Sequence, residues 1–338
     1  MFKRNTLFSL AMLSLAGLLA ISQLAMAGQP IRVGISLPTQ REEIWVHHKN
    51  NMEAAAKNLG VDVLVQISDN DAAKQQAQCE NLLTQGLDVL VVGAHDAQAA
   101  ANIVEMAHEM KVPVVSYDRL ILDADVDVYV SFDNEKVGEL QGKWFVDHVK
   151  SGNIIILSGD PLDNNAKLFR QGAVNILKPH IDSGRYNLLM DQPVQDWQPN
   201  NAMRLVENCL TSNDNNVQGI LAPNDGTAGG AIQALAAQGL AGKVPVTGQD
   251  FELTALQRIA EGTQGMTVFK NTVDEGKATI EAAVKLAKGE KPAINNAVNN
   301  GKIDVPSVLL TPLAVDSGNL DEMVKLSGLY SVELVRGK

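Results

Sequence analysis

The chain has 338 residues, of which 45% are hydrophobic, 4% aromatic and 20% charged, and its formal net charge is −11. That acidic balance argues against nucleic acid or an anionic membrane as partner, because both need basic surface. The length is large for one core and suits two domains.

Lys3 and Arg4 precede an apolar stretch over residues 7–24, and Ala25-Met26-Ala27 supplies an A-x-A cleavage site. The pattern predicts a secretory signal peptide over residues 1–27, and so an exported chain that begins at Gly28. Loss of Lys3 and Arg4 takes the charge from −11 to −13. No later segment approaches the length needed to cross a bilayer.

Beyond the leader, short apolar runs alternate with amphipathic helical patterns. Strands are expected at 31–36, 61–67, 89–92, 112–117 and 128–132, with helices at 42–59, 71–85 and 97–110 between the first four. A helix over 135–149 leads to a second set of strands at 154–157, 186–190, 219–222, 244–247 and 266–269. Continuous β-branched runs between turn residues read as strands buried on both faces, and strand–helix alternation implies parallel, doubly wound sheets. The fold class is therefore α/β, with two Rossmann-like lobes. A helix over 274–288, an Asn-rich loop and a proline-punctuated extended run from Val305 to Val315 finish the chain. Such a tail is able to pass back between lobes, which makes the hinge several segments instead of one. The first lobe is expected to take residues 28–133 and 271–299, the second 134–270 and 300–338.

In open α/β sheets a ligand sits beyond the carboxyl ends of the strands. Six runs here end in polar residues at that place, among them Asp118-Arg119, Asn224-Asp225, Gln249-Asp250 and Lys270. A sugar needs flat aromatic rings for its C–H faces and planar donors and acceptors for its rim. Trp45 follows the first strand and Trp197 lies in the polar loop Pro193-Val-Gln-Asp-Trp-Gln-Pro199, one per lobe; each equally suits a packing role. Trp144, in mid-helix beside Phe145, reads as core. Asp118-Arg119 suits either a hydroxyl clamp or a local ion pair, and Asp163-Asn164-Asn165 and Asn224-Asp225 also suit helix N-caps. Lysine at 270 needs a cleft or an acidic neighbour.

No G-x-S-x-G, H-E-x-x-H, G-x-G-x-x-G or P-loop pattern occurs, so a recognisable nucleophile, zinc or nucleotide site is missing from the sequence. Neither metal nor cofactor is expected. Cys79 and Cys209 fit no zinc or redox spacing and are read as separate buried thiols, with a disulfide as the alternative.

Longer segments add a resemblance. Tyr117-Asp-Arg119, Val130-Ser-Phe-Asp-Asn-Glu-Lys-Val-Gly-Glu-Leu-Gln141, Asp163-Asn-Asn-Ala-Lys-Leu-Phe-Arg170, Gly248-Gln-Asp250 and Val305-Pro-Ser-Val-Leu-Leu-Thr-Pro312 resemble the bacterial periplasmic D-xylose-binding proteins, across nearly the whole mature chain. The resemblance implies a type I periplasmic binding fold, two lobes with three crossing segments that close on a monosaccharide. It also implies delivery to an ABC permease in the inner membrane; a monomer in the periplasm with no enzymatic activity is expected, and contact with a chemoreceptor is left open. By the same resemblance Trp45 and Trp197 sandwich the ring, and Asp118, Arg119, Asp163, Asn165, Asn224, Asp250 and Lys270 hold the hydroxyls. One position departs: the family usually has arginine before the first tryptophan, where this chain has Ile44. Its Gln-Lys-Asp after that tryptophan is Val46-His47-His48 here. Arg41 lies one helical turn earlier. These departures put the sugar's identity at issue and leave another aldose as the alternative. A regulator of the related sugar-sensing fold would need an N-terminal helix-turn-helix, and a secreted sugar-modifying enzyme is the remaining class.

Overall fold

Residues 30–337 are described in a computed structural model. The expected signal peptide lies outside them.

The first lobe is built on a parallel sheet of β1 (Arg32–Leu37), β2 (Asp62–Ile67), β3 (Val89–Val92), β4 (Val114–Tyr117) and β5 (Val128–Phe132). Strand order is β2-β1-β3-β4-β5, so the chain reverses direction of growth after β2. Side-chain alternation along β3 decides which helices cover each face. Val89 and Val91 join the core under α1 (Glu43–Leu59), and Leu90 and Val92 join the core under α2 (Ala72–Thr84) and α3 (Ala101–Glu109). Both faces are thus buried, which is why these strands read as unbroken apolar runs.

The second lobe holds α4 (Asn134–His148), β6 (Gly152–Ser158), α5 (Asn164–Asp182), β7 (Tyr186–Pro193), α6 (Pro199–Ser212), β8 (Gly219–Leu221), α7 (Asp225–Ala237) and α8 (Leu253–Glu261). Its parallel sheet has the order β7-β6-β8. A five-strand sheet was expected there. Instead, the run at 244–247 makes only a bridge, Ile220 to Val246, and β9 (Met266–Phe269) pairs antiparallel with β12 (Leu313–Asp316). Pro245 removes one backbone donor from the 244–247 run, which limits it as a ladder strand.

After β9 the chain returns to the first lobe as α9 (Thr272–Ala287), which covers the same face as α1. β10 (Asn296–Asn299) and β11 (Asp304–Leu310) follow, and β11 runs parallel beside β5 with β10 antiparallel at the edge. This corrects the expected boundary at 299/300. Val305 is fully buried with Tyr129 in the first core, so the last crossing falls between Leu310 and Leu313. α10 (Leu320–Ser327) and α11 (Val332–Val335) pack against β12 and α8. Cys79 on α2 and Cys209 on α6 are buried free thiols in different lobes. Burial raises the Cys79 thiol to about 11 and also raises that of Cys209. Among the described residues no helix is long and apolar enough to cross a membrane.

Candidate functional site

The carboxyl ends of both sheets face one small cavity between the lobes. All nine residues singled out from the sequence line it: Trp45, Asp118, Arg119, Asp163, Asn165, Trp197, Asn224, Asp250 and Lys270. Each is buried.

Local backbone explains how the side chains arrive there. Asp118 and Arg119 follow β4 directly, and Asp118 takes the left-handed φ of 54° that turns its carboxylate inward. Asp163 is the N-cap of α5: its Oδ1 accepts from Asn165 N at 2.8 Å, and its Oδ2 lies 2.8 Å from Arg119 Nε. Asn224 caps α7, where Thr227 reciprocates to complete a capping box. The N-cap reading and the cavity-lining reading therefore both hold for these two residues. Trp197 (φ 55°) and Asp250 (φ 106°) sit in conformations rarely adopted by side-chain-bearing residues. Such strain costs on the order of 1–3 kcal/mol per residue and gathers at ligand clamps.

Charge is balanced across the cleft. Lys270 Nζ stands 3.4 Å from Asp118 Oδ2 and 3.7 Å from Asp250 Oδ1. Burial pulls the Lys270 ammonium down, but Asp118 and Asp250 outweigh it and keep the group protonated. Burial likewise works to raise Asp118, and Lys270 overrides it, so that carboxyl lies below its usual range. Asp250 goes the other way: burial lifts it to about 6, with Lys270 opposing and Asp118 reinforcing. Burial also lifts Asp163, against the pull of Arg119. Asn165 Nδ2 donates to both Oδ1 and the carbonyl of Asp118, each at 3.1 Å, and accepts at Oδ1 from Asn134. Asn224 Nδ2 donates to Asp250 Oδ2 at 3.4 Å.

Aromatic surface flanks this polar rim. The Arg119 guanidinium lies 5.0 Å above the Trp45 ring, and Phe169 meets Trp197 edge-on at 6.4 Å. The Trp197 indole packs on bare backbone: a Cβ on Gly159 would lie 2.0 Å from its ring. Trp197 Nε1 is buried with no hydrogen-bond partner among the described residues, as is Gln249 Oε1. Both residues line the cavity, and unpaired buried polar atoms are uncommon in folded proteins.

Residues 33–291 match the family model "Periplasmic binding protein domain". The chain belongs to the periplasmic binding protein family. It is 43% identical over 319 residues to the D-xylose-binding periplasmic protein of Escherichia coli K12, covering 94% of this chain and 97% of that one. It is 35% identical over 333 residues to the multiple sugar-binding periplasmic receptor of Rhizobium radiobacter, covering 92% and 94%. Among solved structures, a carbohydrate transporter solute-binding protein from Chloroflexus aurantiacus in complex with D-glucose superposes with a TM-score of 0.85 at 34% identity, covering 90% of this chain and 98% of that one. The fold is the type I periplasmic binding fold, and members of this family to which the chain is similar are sugar-binding transport proteins and not enzymes.

Four lining residues were not singled out as ligand contacts, Glu42, Ile44, His48 and Phe169, and Gln249 of the Gln249-Asp250 run-end lines the cavity with them. Ile44, Trp45 and His48 share one face of α1 by helical spacing, so Trp45 itself pointed to His48. Glu275 lies behind the wall, fully buried on α9; nothing in its sequence surroundings marks it. Arg41, one turn before Ile44, turns to the rim: its Nη2 donates to the Asp196 carbonyl at 2.5 Å and it pairs with Glu42.

Proposed function

We propose that the protein captures a monosaccharide, D-xylose first among the candidates, in the cavity between its lobes and hands it to an ABC permease for import. The nine residues singled out act as the site: Trp45 and Trp197 against the faces of the ring, and Asp118, Arg119, Asp163, Asn165, Asn224, Asp250 and Lys270 around its hydroxyls. The observation that carries this reading is the convergence on one small cavity of two buried tryptophans, two buried cations and five buried carboxylates or amides, Asp118 from the first lobe and Asp163, Asn165, Asn224 and Asp250 from the second. Identity to the D-xylose-binding relatives supports the sugar named.

Ligand bridging both lobes draws the open–closed equilibrium toward the closed form, whose composite surface is what a permease reads. Location in the periplasm, removal of residues 1–27, a monomeric state and contact with a chemoreceptor belong to the same reading. Ile44 favours one second reading, in which the role is unchanged and another aldose is preferred; the D-glucose-bound relative supports it. Calorimetric titration of sugar-stripped protein with D-xylose, D-glucose, D-galactose, L-arabinose and D-ribose tests both. Dissociation constants of about 1 μM or tighter for D-xylose alone meet the first, and a different preferred aldose meets the second. Absence of binding to every sugar overturns the function.

A further inference from the structure

The first-lobe wall of the cavity carries a polar set that the sugar-holding residues do not include. His48, on α1 and 1% exposed, has its Nδ1 hydrogen-bonded with the Tyr117 hydroxyl and 3.3 Å from Glu275 Oε2. One ligating atom each from His48, Asp118 and Glu275 lie within 4.8 Å of one another. A metal is disfavoured there, because Lys270 and Arg119 already bring two positive charges to Asp118. The set is a buried polar cluster in which Tyr117 holds His48 Nδ1 and neither Glu275 oxygen has a hydrogen-bond partner among the described residues. Burial holds His48 down to about 3, so the imidazole is neutral, and burial pushes the Glu275 carboxyl well above its usual range, so it carries a proton.

In a neutral imidazole one nitrogen donates and the other accepts, and the partner of one fixes the role of the other. A phenol and a protonated carboxyl both face Nδ1, and each has a proton to donate there. With Nδ1 as the acceptor, the ring proton sits on Nε2. Among the described residues Nε2 has no hydrogen-bond partner, although His48 lines the cavity. Ile44, one turn away and also lining, offers nothing polar to compete.

We propose that His48 is a selectivity-determining residue whose Nε2–H donates to one hydroxyl of the bound monosaccharide while Asp118 accepts that hydroxyl's proton, and that Glu275 is the positioning residue which, with Tyr117, fixes this tautomer. The proposal rests on the sugar-binding reading of the cavity. It specifies the ligand chemistry on this wall: a single hydroxyl that both donates and accepts, bound by a neutral donor and an anionic acceptor, with apolar contact from Ile44 beside it. A hydroxyl bound in this way is recognised as a whole group, so its deoxy analogue loses both bonds and its fluoro analogue loses the one to Asp118.

The test is a ligand-by-protein cycle. Affinities of wild type, His48→Gln, His48→Leu and Glu275→Leu are measured for the preferred sugar and for each of its monodeoxy analogues. In wild type, removal of one particular hydroxyl is expected to carry the largest penalty. His48→Leu shrinks that penalty by about tenfold, the worth of one hydrogen bond, and leaves the others unchanged. His48→Gln, which keeps an amide N–H near the place of Nε2, retains most of it. Nitrogen-15 shifts of His48 are expected to report the Nε2–H form in wild type and a mixture of tautomers in Glu275→Leu, a change that a purely structural role would not produce. Equal penalties in wild type and His48→Leu for every hydroxyl overturn the role of His48, and an Nδ1–H tautomer in wild type overturns the role of Glu275. Wild type that binds no monosaccharide overturns the sugar-binding reading itself, and the proposal with it.

Discussion

Gly159 shows how one missing Cβ seats an aromatic ring beside the cavity. The Trp197 indole rests directly on that backbone, so Gly159→Ala moves the ring by more than an ångström while touching no ligand. An affinity loss of about tenfold or more, with little change in melting temperature, is the expected outcome by titration and calorimetry; unchanged affinity would mean Trp197 is not a stacking surface. Trp197→Ala and Asp250→Ala are each expected to abolish most binding while the fold persists, because both residues line the cavity and each lobe keeps its separate larger cores. Wild-type affinity in either variant would remove these residues from the site. At this scale the sequence was legible wherever a polar residue ended an apolar run, since strand geometry alone sends Asp118, Asn224, Asp250 and Lys270 to one place. His48 was harder to read because it sits on a helix beside His47, and only its spacing from Trp45 shows which histidine turns inward. Glu275 was illegible: its partners come from β4 and α1, more than 150 residues away in the chain.

At the scale of the element, α7 begins with an acid that its surroundings resist. Asp225, at the first turn, is fully buried; its carboxylate accepts from Gln264 Nε2, Thr267 Oγ1 and Glu252 N. Three donors and a helix N-terminus favour the anion, yet burial first and Asp250 second raise its pKa to about 7 from an ordinary 3.8. A carboxyl raised on folding binds its proton more tightly in the native state than in the unfolded chain. Its contribution to stability is therefore fully present below about pH 4 and lost as pH rises through about 7. Asp250, raised to about 6, and Glu252, raised to about 9, act with the same sign. The melting temperature is thus expected to fall between pH 5 and pH 8, and Asp225→Asn to reduce that fall, by about 2 to 4 °C for each kcal/mol of linkage removed. Thermal melts of both proteins across that range check it, and identical slopes would place the Asp225 pKa near its ordinary value. Element types were readable from period and turn residues, but pairing was not. The run at 244–247 has strand composition and makes a single bridge, while β11, expected in the second lobe, completes the first sheet. Both outcomes depend on which neighbour offers a free edge, and that is a property of the assembled sheets.

For the whole molecule, the decisive contacts are those that cross the cleft without touching the cavity. Glu43 on α1 accepts from the Tyr330 hydroxyl at 2.9 Å and from Leu253 N, the first residue of α8, at 3.1 Å; His47 reaches the same hydroxyl at 3.1 Å. A carboxylate at the start of α8 also meets the positive end of that helix. These bonds join first-lobe α1 to second-lobe elements that are apart in an open form, so they stabilise closure without contacting the ligand. A ligand that binds the closed form has an apparent affinity scaled by the fraction of protein able to close. Glu43→Ala removes both acceptor bonds. Because Glu43 is 38% exposed, solvent screening discounts their worth, and the expected loss of affinity is about fivefold instead of the larger factor that two buried charged bonds would give. The loss should appear in the dissociation rate, since closure follows encounter and holds the ligand in. Tyr330→Phe, which removes the bond to Glu43 Oε1 and leaves the one from Leu253, should fall between Glu43→Ala and wild type. Stopped-flow dissociation, with small-angle scattering of the ligand-free proteins, measures both effects. Faster release together with a larger radius of gyration in Glu43→Ala meets the expectation. Unchanged release would show that closure is held by the cavity's own bridge of Asp118, Lys270 and Asp250, with the rim contacts forming only after the lobes have met.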